Sequence, residues 1–96
     1  MQLLYALTNQ PVAVGVRADQ EGFRFYKGGV FDGECGVEHN HAILLTGFGT
    51  LSGSKFYECK NSWGAAWGSS GYIKLARKGD GPGQCGIQTE PSVPVL

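Results

Sequence analysis

Two histidines stand two positions apart in "HNHAILLTGFG", residues 39–49, and "CKNSWGAAWG" occupies residues 59–68, with Asn61 twenty positions after His41. An imidazole takes up and returns a proton near neutral pH. An amide carbonyl accepts the N–H of such a ring and fixes its tautomer and plane without adding a charge. Together they are two parts of a Cys-His-Asn arrangement for nucleophilic catalysis. A lone histidine at the start of a strand is ordinarily a surface or satisfied core residue, so His41 gains its weight from Asn61. Trp63 and Trp67, each followed by glycine in "SWGAAWG", come directly after Asn61. Tryptophans in small domains usually pack in the core, yet an indole there could also shield a His–Asn hydrogen bond from water and strengthen it.

These side chains need elements that bring them to one place. "HAILLTGFG" and "SKFYECKNS" read as two strands joined through "TLSGS", a hairpin-like connection. Side chains alternate across a strand, so Tyr57, Cys59 and Asn61 share one face and Phe56, Glu58 and Lys60 the other. Antiparallel pairing of the two strands puts His41 and Asn61 at the same end of the sheet. "PVAVGVRA" alternates as well, with Val12, Val14 and Val16 on one face and Ala13, Gly15 and Arg17 on the other. Small residues on that second face signal close approach of another element or a ligand. "SGYIKLAR" is a further strand, "EGFRFYKGGVFDGECG" a short helical turn running into irregular chain, and residues 2–9 a short helix stopped by Gln10-Pro11. The tail "PSVPVL" is extended by its prolines. The sum is a mainly β domain of the α+β kind, an antiparallel, barrel-like sheet of about four to six strands.

Composition narrows the function. Eight basic residues balance eight acidic ones, without blocks of like sign, so neither nucleic acid nor an anionic membrane is an expected partner. No stretch approaches the roughly 18 apolar residues of a membrane span. No signal-peptide pattern occurs, and Met1 opens onto what reads as the middle of a helix, as in a truncated chain. With 96 residues, a single domain buries only roughly 60–70% of its unfolded surface and gains from a crosslink. Cys35 and Cys85 share a setting ("GECGVE", "GQCGIQ"), whereas Cys59 sits within a strand. The economical reading pairs the first two and leaves Cys59 a buried thiol, adding about 2–4 kcal/mol and placing the chain in an oxidising compartment. Three reduced cysteines are the other reading.

"NQPVAVGV", "FRFYKGGVFDGECG", "NHAILLTGFG" and "KNSWGAAWGSSGYIKLAR" together resemble the C-terminal, histidine-bearing half of papain-like, cathepsin-type cysteine proteases, from about Leu3 to Glu90. The resemblance implies one domain over 1–96, the sheet lobe of such an enzyme. It assigns His41 as the base that forms an imidazolium–thiolate pair, Asn61 as its orienter and Trp63 as the indole over their contact. It further implies that Trp67 lines the primed side of the cleft, Asn40 precedes the base and Cys35 bonds Cys85. His39 has no family role and is expected to be a partly exposed bystander. Gly15 and Ala42 match positions lining the second substrate subsite, which should be roomy. Glu90 matches the base of that pocket, where a carboxylate resembles the members that accept arginine at P2, the residue preceding the cleaved one. The alternative for Glu90 is a surface glutamate near a frayed terminus.

Neither the family's "CGSCW"-like nucleophile segment nor its oxyanion glutamine occurs in these residues. Cys59 is no substitute, since it lacks a helix N-terminus to lower its pKa. The chain is therefore expected to be inactive without an N-terminal helical lobe that carries the cysteine. Peptide or protein substrates and cystatin-like inhibitors are the other implied partners, a lysosomal, vacuolar or secreted setting is implied, and no cofactor or metal is. Two alternatives stay open: a non-catalytic peptide-binding module of the same fold, and a small metal site built from Cys35, His39 and His41, whose spacing lacks the paired ligands usual for zinc.

Overall fold

The computed structural model describes residues 11–79 and 81–88, with the backbone alone of 91–94. The helix expected over residues 2–9 lies outside them. Six strands follow in chain order: β1 (Val12–Val16), β2 (Val30–Phe31), β3 (His41–Leu51), β4 (Ser54–Lys60), β5 (Tyr72–Ala76) and β6 (Pro91–Pro94). They form one sheet in the order β2-β5-β4-β3-β1-β6. All neighbours run antiparallel except β2 and β5, a parallel edge pair in a segment read from sequence as irregular chain. β6 carries prolines at both ends, which lack the N–H of a ladder bond; an edge is where a strand tolerates them.

The expected alternation holds where it matters for the site. Val12, Val14 and Val16 are fully buried, and so are Leu45, Cys59, Ile73 and Leu75 on the same side of the sheet. A single-turn helix, α1 (Glu21–Arg24), adds Phe23, which is also fully buried. The turn at Gln84–Gly86 brings Cys85, bonded to Cys35, and then Ile87 onto the same core. Each fully buried Val, Leu, Ile or Phe side chain contributes about 1.5–3 kcal/mol relative to exposure. The core is thus made by one face of four strands, and the site hangs beyond its end.

The β3–β4 ladder sets the geometry. Its turn is only Ser52-Gly53, both with positive φ (50° and 85°), the conformation of a tight two-residue hairpin whose twist matches the strands. The strands therefore run further than "TLSGS" suggested. A bulge between Leu45 and Gly47 shifts the register of β3, so Leu45 pairs with Cys59 and Phe48 with Tyr57 on the same side, where Phe48, near the hairpin end, is half exposed.

Candidate active site

Leu44 pairs with Lys60 in the ladder, which leaves His41 at the start of β3 close to Asn61, just past the end of β4. Asn61 stays on the core-facing side, as Tyr57 and Cys59 do, and is 5% exposed. Its backbone N–H is held by the Gly71 carbonyl at 3.0 Å. The His41 Nε2–H donates to Asn61 Oδ1 at 2.7 Å. The same oxygen accepts the Ser62 backbone N–H at 2.7 Å, which settles the amide's orientation, because an NH2 group there would face two donors. With Nε2 committed to Asn61, the neutral ring presents Nδ1 as its basic nitrogen.

Trp63 lies over the imidazole, with ring centroids 5.1 Å apart and planes 26° from parallel. An indole face near an imidazolium is electrostatically favourable and excludes water from the His–Asn contact. Trp63 in turn meets Phe23 and Trp67 edge to face, at 5.7 and 5.3 Å. Trp67 stacks on Phe23 at 5.3 Å and donates its indole N–H to the Arg24 carbonyl at 2.9 Å. α1, despite its four residues, thus supports both indoles from below.

A groove of about 470 Å³ beside Trp63 is lined by Ala18, Asp19, Arg24, Phe25 and Asn40, and Trp67 is not among them. Trp67 buttresses Trp63 and stays partly accessible, and Phe25, two-thirds exposed, stands in the groove. Trp67 also packs on Phe23 and Tyr26, more than forty residues before it, contacts that no sequence signal marked. Asn40 Oδ1 accepts the Ala18 N–H at 2.9 Å and its own N–H donates to the Val16 carbonyl, tying the turn before His41 to β1. The Asp19 carboxylate of this groove accepts two hydrogen bonds from Arg17, at 2.9 and 2.7 Å, which hold that carboxyl below its ordinary range.

On the opposite face of the sheet, Gly15 and Ala42 are cross-strand partners. Ala42 lines a hollow of about 410 Å³ with Ala13, Leu44, Lys60, Asn61 and Ser62. Gly15 does not, because the His39 ring covers it: a Cβ on Gly15 would come within 2.8 Å of His39 Cγ. The exposed His39 ring thus stands over Gly15. Its Nε2–H donates to the Gly86 carbonyl at 2.7 Å. Glu90 lies outside the described residues.

None of the three sulfurs is placed to attack a substrate. Cys35 and Cys85 are bonded to each other, as expected. Cys59 is fully buried, and loss of solvation pushes its thiol pKa far above the usual range, the reverse of what an attacking thiolate needs. With Cys35 in the disulfide and both histidines hydrogen-bonded to protein oxygens, the trio of the metal alternative is otherwise engaged.

Comparison with known proteins settles the lineage. The family model described as papain family cysteine protease matches residues 1–95. The chain belongs to the papain family of cysteine proteases. Among curated relatives of this papain-family chain, the KDEL-tailed cysteine endopeptidase CEP2 of Arabidopsis thaliana is 49% identical over 94 residues, covering 97% of this chain and 26% of its own length. Fruit bromelain of Ananas comosus is 45% identical over 96 residues, covering 98% of this chain and 27% of its own. The chain thus spans about a quarter of these relatives, and the part it covers is C-terminal. Among solved structures, the ragweed pollen allergen Amb a 11, a cysteine protease in its proform, superposes with a TM-score of 0.89 at 42% identity, over 95% of this chain and 25% of that one. The bromelain protease of Ananas comosus in complex with the E64 inhibitor gives 0.85 at 44% identity, over 95% of this chain and 44% of that one.

Proposed function

We propose that residues 1–96 form the sheet lobe of a cysteine-type peptidase, supplying His41 as base and Asn61 as its orienter. The nucleophilic cysteine and an oxyanion-stabilising glutamine come from a helical lobe docked against it. The observation that carries this reading is the 2.7 Å bond from His41 Nε2 to an Asn61 oxygen whose orientation Ser62 fixes, beneath the stacked Trp63. Support also comes from Asn61 Nδ2, a buried donor with no acceptor among the described residues. A buried unsatisfied amide is costly, and a carbonyl from a docked lobe would relieve it.

The chemistry follows from the tautomer. With its Nε2 proton held by Asn61, His41 accepts the thiol proton at Nδ1, giving a thiolate and an imidazolium. The thiolate adds to the scissile carbonyl, and the tetrahedral oxyanion is held by the glutamine and backbone donors of the other lobe. Nδ1–H then protonates the leaving amine as the C–N bond breaks. Water, deprotonated by the freed Nδ1, attacks the thioester, and collapse of the second tetrahedral intermediate releases the acid and the thiol. Trp63 favours the charged ring at each stage.

Gly15, Ala42 and Glu90 belong to the second substrate subsite in this reading, with peptide or protein chains as substrates and cystatin-like proteins as inhibitors. The disulfide suits a lysosomal, vacuolar or secreted setting. The test mixes the chain with the separately produced helical lobe of fruit bromelain, under mild reductant, and follows cleavage of dipeptide substrates with Phe or Arg at P2. Association and activity confined to the mixture, lost in His41→Ala, are expected; cleavage of the Arg substrate would place Glu90 in the pocket. Association without cleavage would favour the peptide-binding module, and failure to associate would contradict the two-lobe reading.

A further inference from the structure

The hairpin end of the sheet, far from His41, carries a guanidinium without an acceptor. Arg77, one residue past β5, donates its backbone N–H to the Lys55 carbonyl at 2.9 Å and so continues the β4–β5 ladder by one pair. Lys55 pairs in turn with Thr50 of β3. Arg77, Lys55 and Thr50 thus form one row across three strands, and Leu75, Tyr57 and Phe48 form the next row on the same face. Arg77 leans from its own row over the second. Its guanidinium carbon lies 6.0 Å from the Tyr57 ring centroid and 5.3 Å from that of Phe48. Its Nε is buried without an acceptor, and the side chain forms no ion pair among the described residues.

The surrounding charges are already matched elsewhere. Glu58 alternates to the other side of β4 and is taken by Lys74, and Asp32 is taken by Lys78. Lys55 is exposed and, among the described residues, meets no carboxylate. Two cations without a counter-charge therefore stand beside two half-exposed apolar side chains, Phe48 and Leu51. Stacking on two rings holds the guanidinium in place, and its planar fork fits a carboxylate through two parallel hydrogen bonds. A carboxylate on the Nε edge would also relieve the buried donor. An inorganic anion would satisfy the cations and leave Phe48 and Leu51 bare. A polypeptide segment that alternates Asp or Glu with large apolar residues would satisfy all four.

We propose that the hairpin end is a second peptide-binding site, where Arg77 and Lys55 hold the carboxylates, and Phe48 and Leu51 the apolar side chains, of an acidic segment in a protein substrate. The proposal rests on the reading of the chain as a peptidase lobe. Phe48 lies seven residues along β3 from His41, about 23 Å at about 3.3 Å per residue. A segment held there takes no part in the chemistry and acts by raising the local concentration of the bond to be cut.

The test begins with binding, which needs no catalysis. A labelled Glu-Phe-Glu-Leu-Glu peptide is titrated, by fluorescence anisotropy, into the chain and into the assembled two-lobe enzyme with its thiol alkylated. Affinity should fall about 10-fold or more in Arg77→Gln, the worth of a charge-assisted hydrogen bond. It should fall about 2- to 10-fold in Lys55→Glu, an exposed substitution that leaves the core untouched. A peptide with Gln for every Glu should bind at least about 10-fold more weakly. Unchanged affinity in Lys55→Glu overturns the proposal, as does equal binding of the Gln peptide. Tighter binding of a sulfated polysaccharide than of the peptide, lost in the same variants, overturns it too. In the active assembly, a dipeptide substrate joined to the acidic segment by about 18 Gly/Ser residues, whose span is about 23 Å, should be cleaved several-fold faster than its Gln counterpart. Lys55→Glu should abolish that gain and leave the untailed dipeptide unaffected; a gain that survives the substitution contradicts the proposal. If no substrate is cleaved, the peptidase reading fails by itself, and the anisotropy alone decides the site.

Discussion

The two ends of the β3–β4 ladder are built from the same strands and do opposite things. At the hairpin end, Ser52-Gly53 closes the ladder within hydrogen-bonding register, and its neighbours are exposed: Phe48 is 49% accessible and Leu51 43%. Arg77 spreads over Phe48 and Tyr57, 5.3 and 6.0 Å from the ring centroids, an aromatic–cation surface whose buried Nε meets no acceptor among the described residues. At the open end the strands stop short, and the polar groups that follow turn toward each other. His41 meets Asn61, Asn61 is pinned by Ser62 and Gly71, and Trp63 covers the contact. Both ends carry an aromatic against a nitrogen cation or its precursor. Only one holds the nitrogen in a defined tautomer, and this needs a partner whose own orientation is fixed.

Substitutions can break that contrast. In the assembled enzyme, His41→Ala should lower kcat/KM by about 10²–10⁴, the range for losing a positioned general base, whereas Phe48→Ala at the hairpin end should leave it within about 2-fold. Asn61→Ala should cost about 10²-fold, mostly in kcat, because a loosely held ring loses near-attack geometry. Equal losses at both ends would abolish the distinction.

Stability separates the ends differently. Cys35→Ala with Cys85→Ala should cost about 2–4 kcal/mol in urea unfolding, since the crosslink closes a long loop in the unfolded chain. That pair should also loosen the turn that holds His39, while hairpin-end contacts persist. Arg77→Ala should cost about 0.5–2 kcal/mol, the worth of a partly buried cation–π contact.

Cys59 offers a pH test with a definite sign. Burial raises its folded pKa, so the native state keeps a proton that the unfolded state loses above its ordinary range near 8.5. Stability should therefore be intact below about pH 8.5 and decline as pH rises beyond it. The decline should be shallower in Cys59→Val when measured by urea midpoints from pH 7 to 10. A thiol reagent should label Cys59 only on unfolding.

How much of this was legible in the sequence depended on the range of the contacts. His41 and Asn61 were readable because strand alternation and a hairpin are local rules, and both held. The Cys35–Cys85 pairing followed from matched surroundings. The packing of Trp67 on Phe23 and Tyr26 was not legible, because it depends on a four-residue helix and the turn after it that no periodicity announces. β2 was missed because two residues pairing in parallel with β5 leave no pattern of their own. The bulge in β3 has no turn residue to mark it beyond Gly47, one of many glycines. His39 is the sharpest case: its place depends on Gly15, 24 residues before it, and Gly86, 47 residues after it, and neither contact leaves a trace in "EHNH".

In the two-lobe reading the chain supplies base and orienter, and another lobe supplies the thiol. The direct measurement is mass spectrometry of the assembled lobes after exposure to a thiol-alkylating peptide reagent. A single adduct on the helical lobe, absent in the His41→Ala assembly and accompanied by no label on this chain, is the predicted result. An adduct on Cys59 of the folded chain would contradict it.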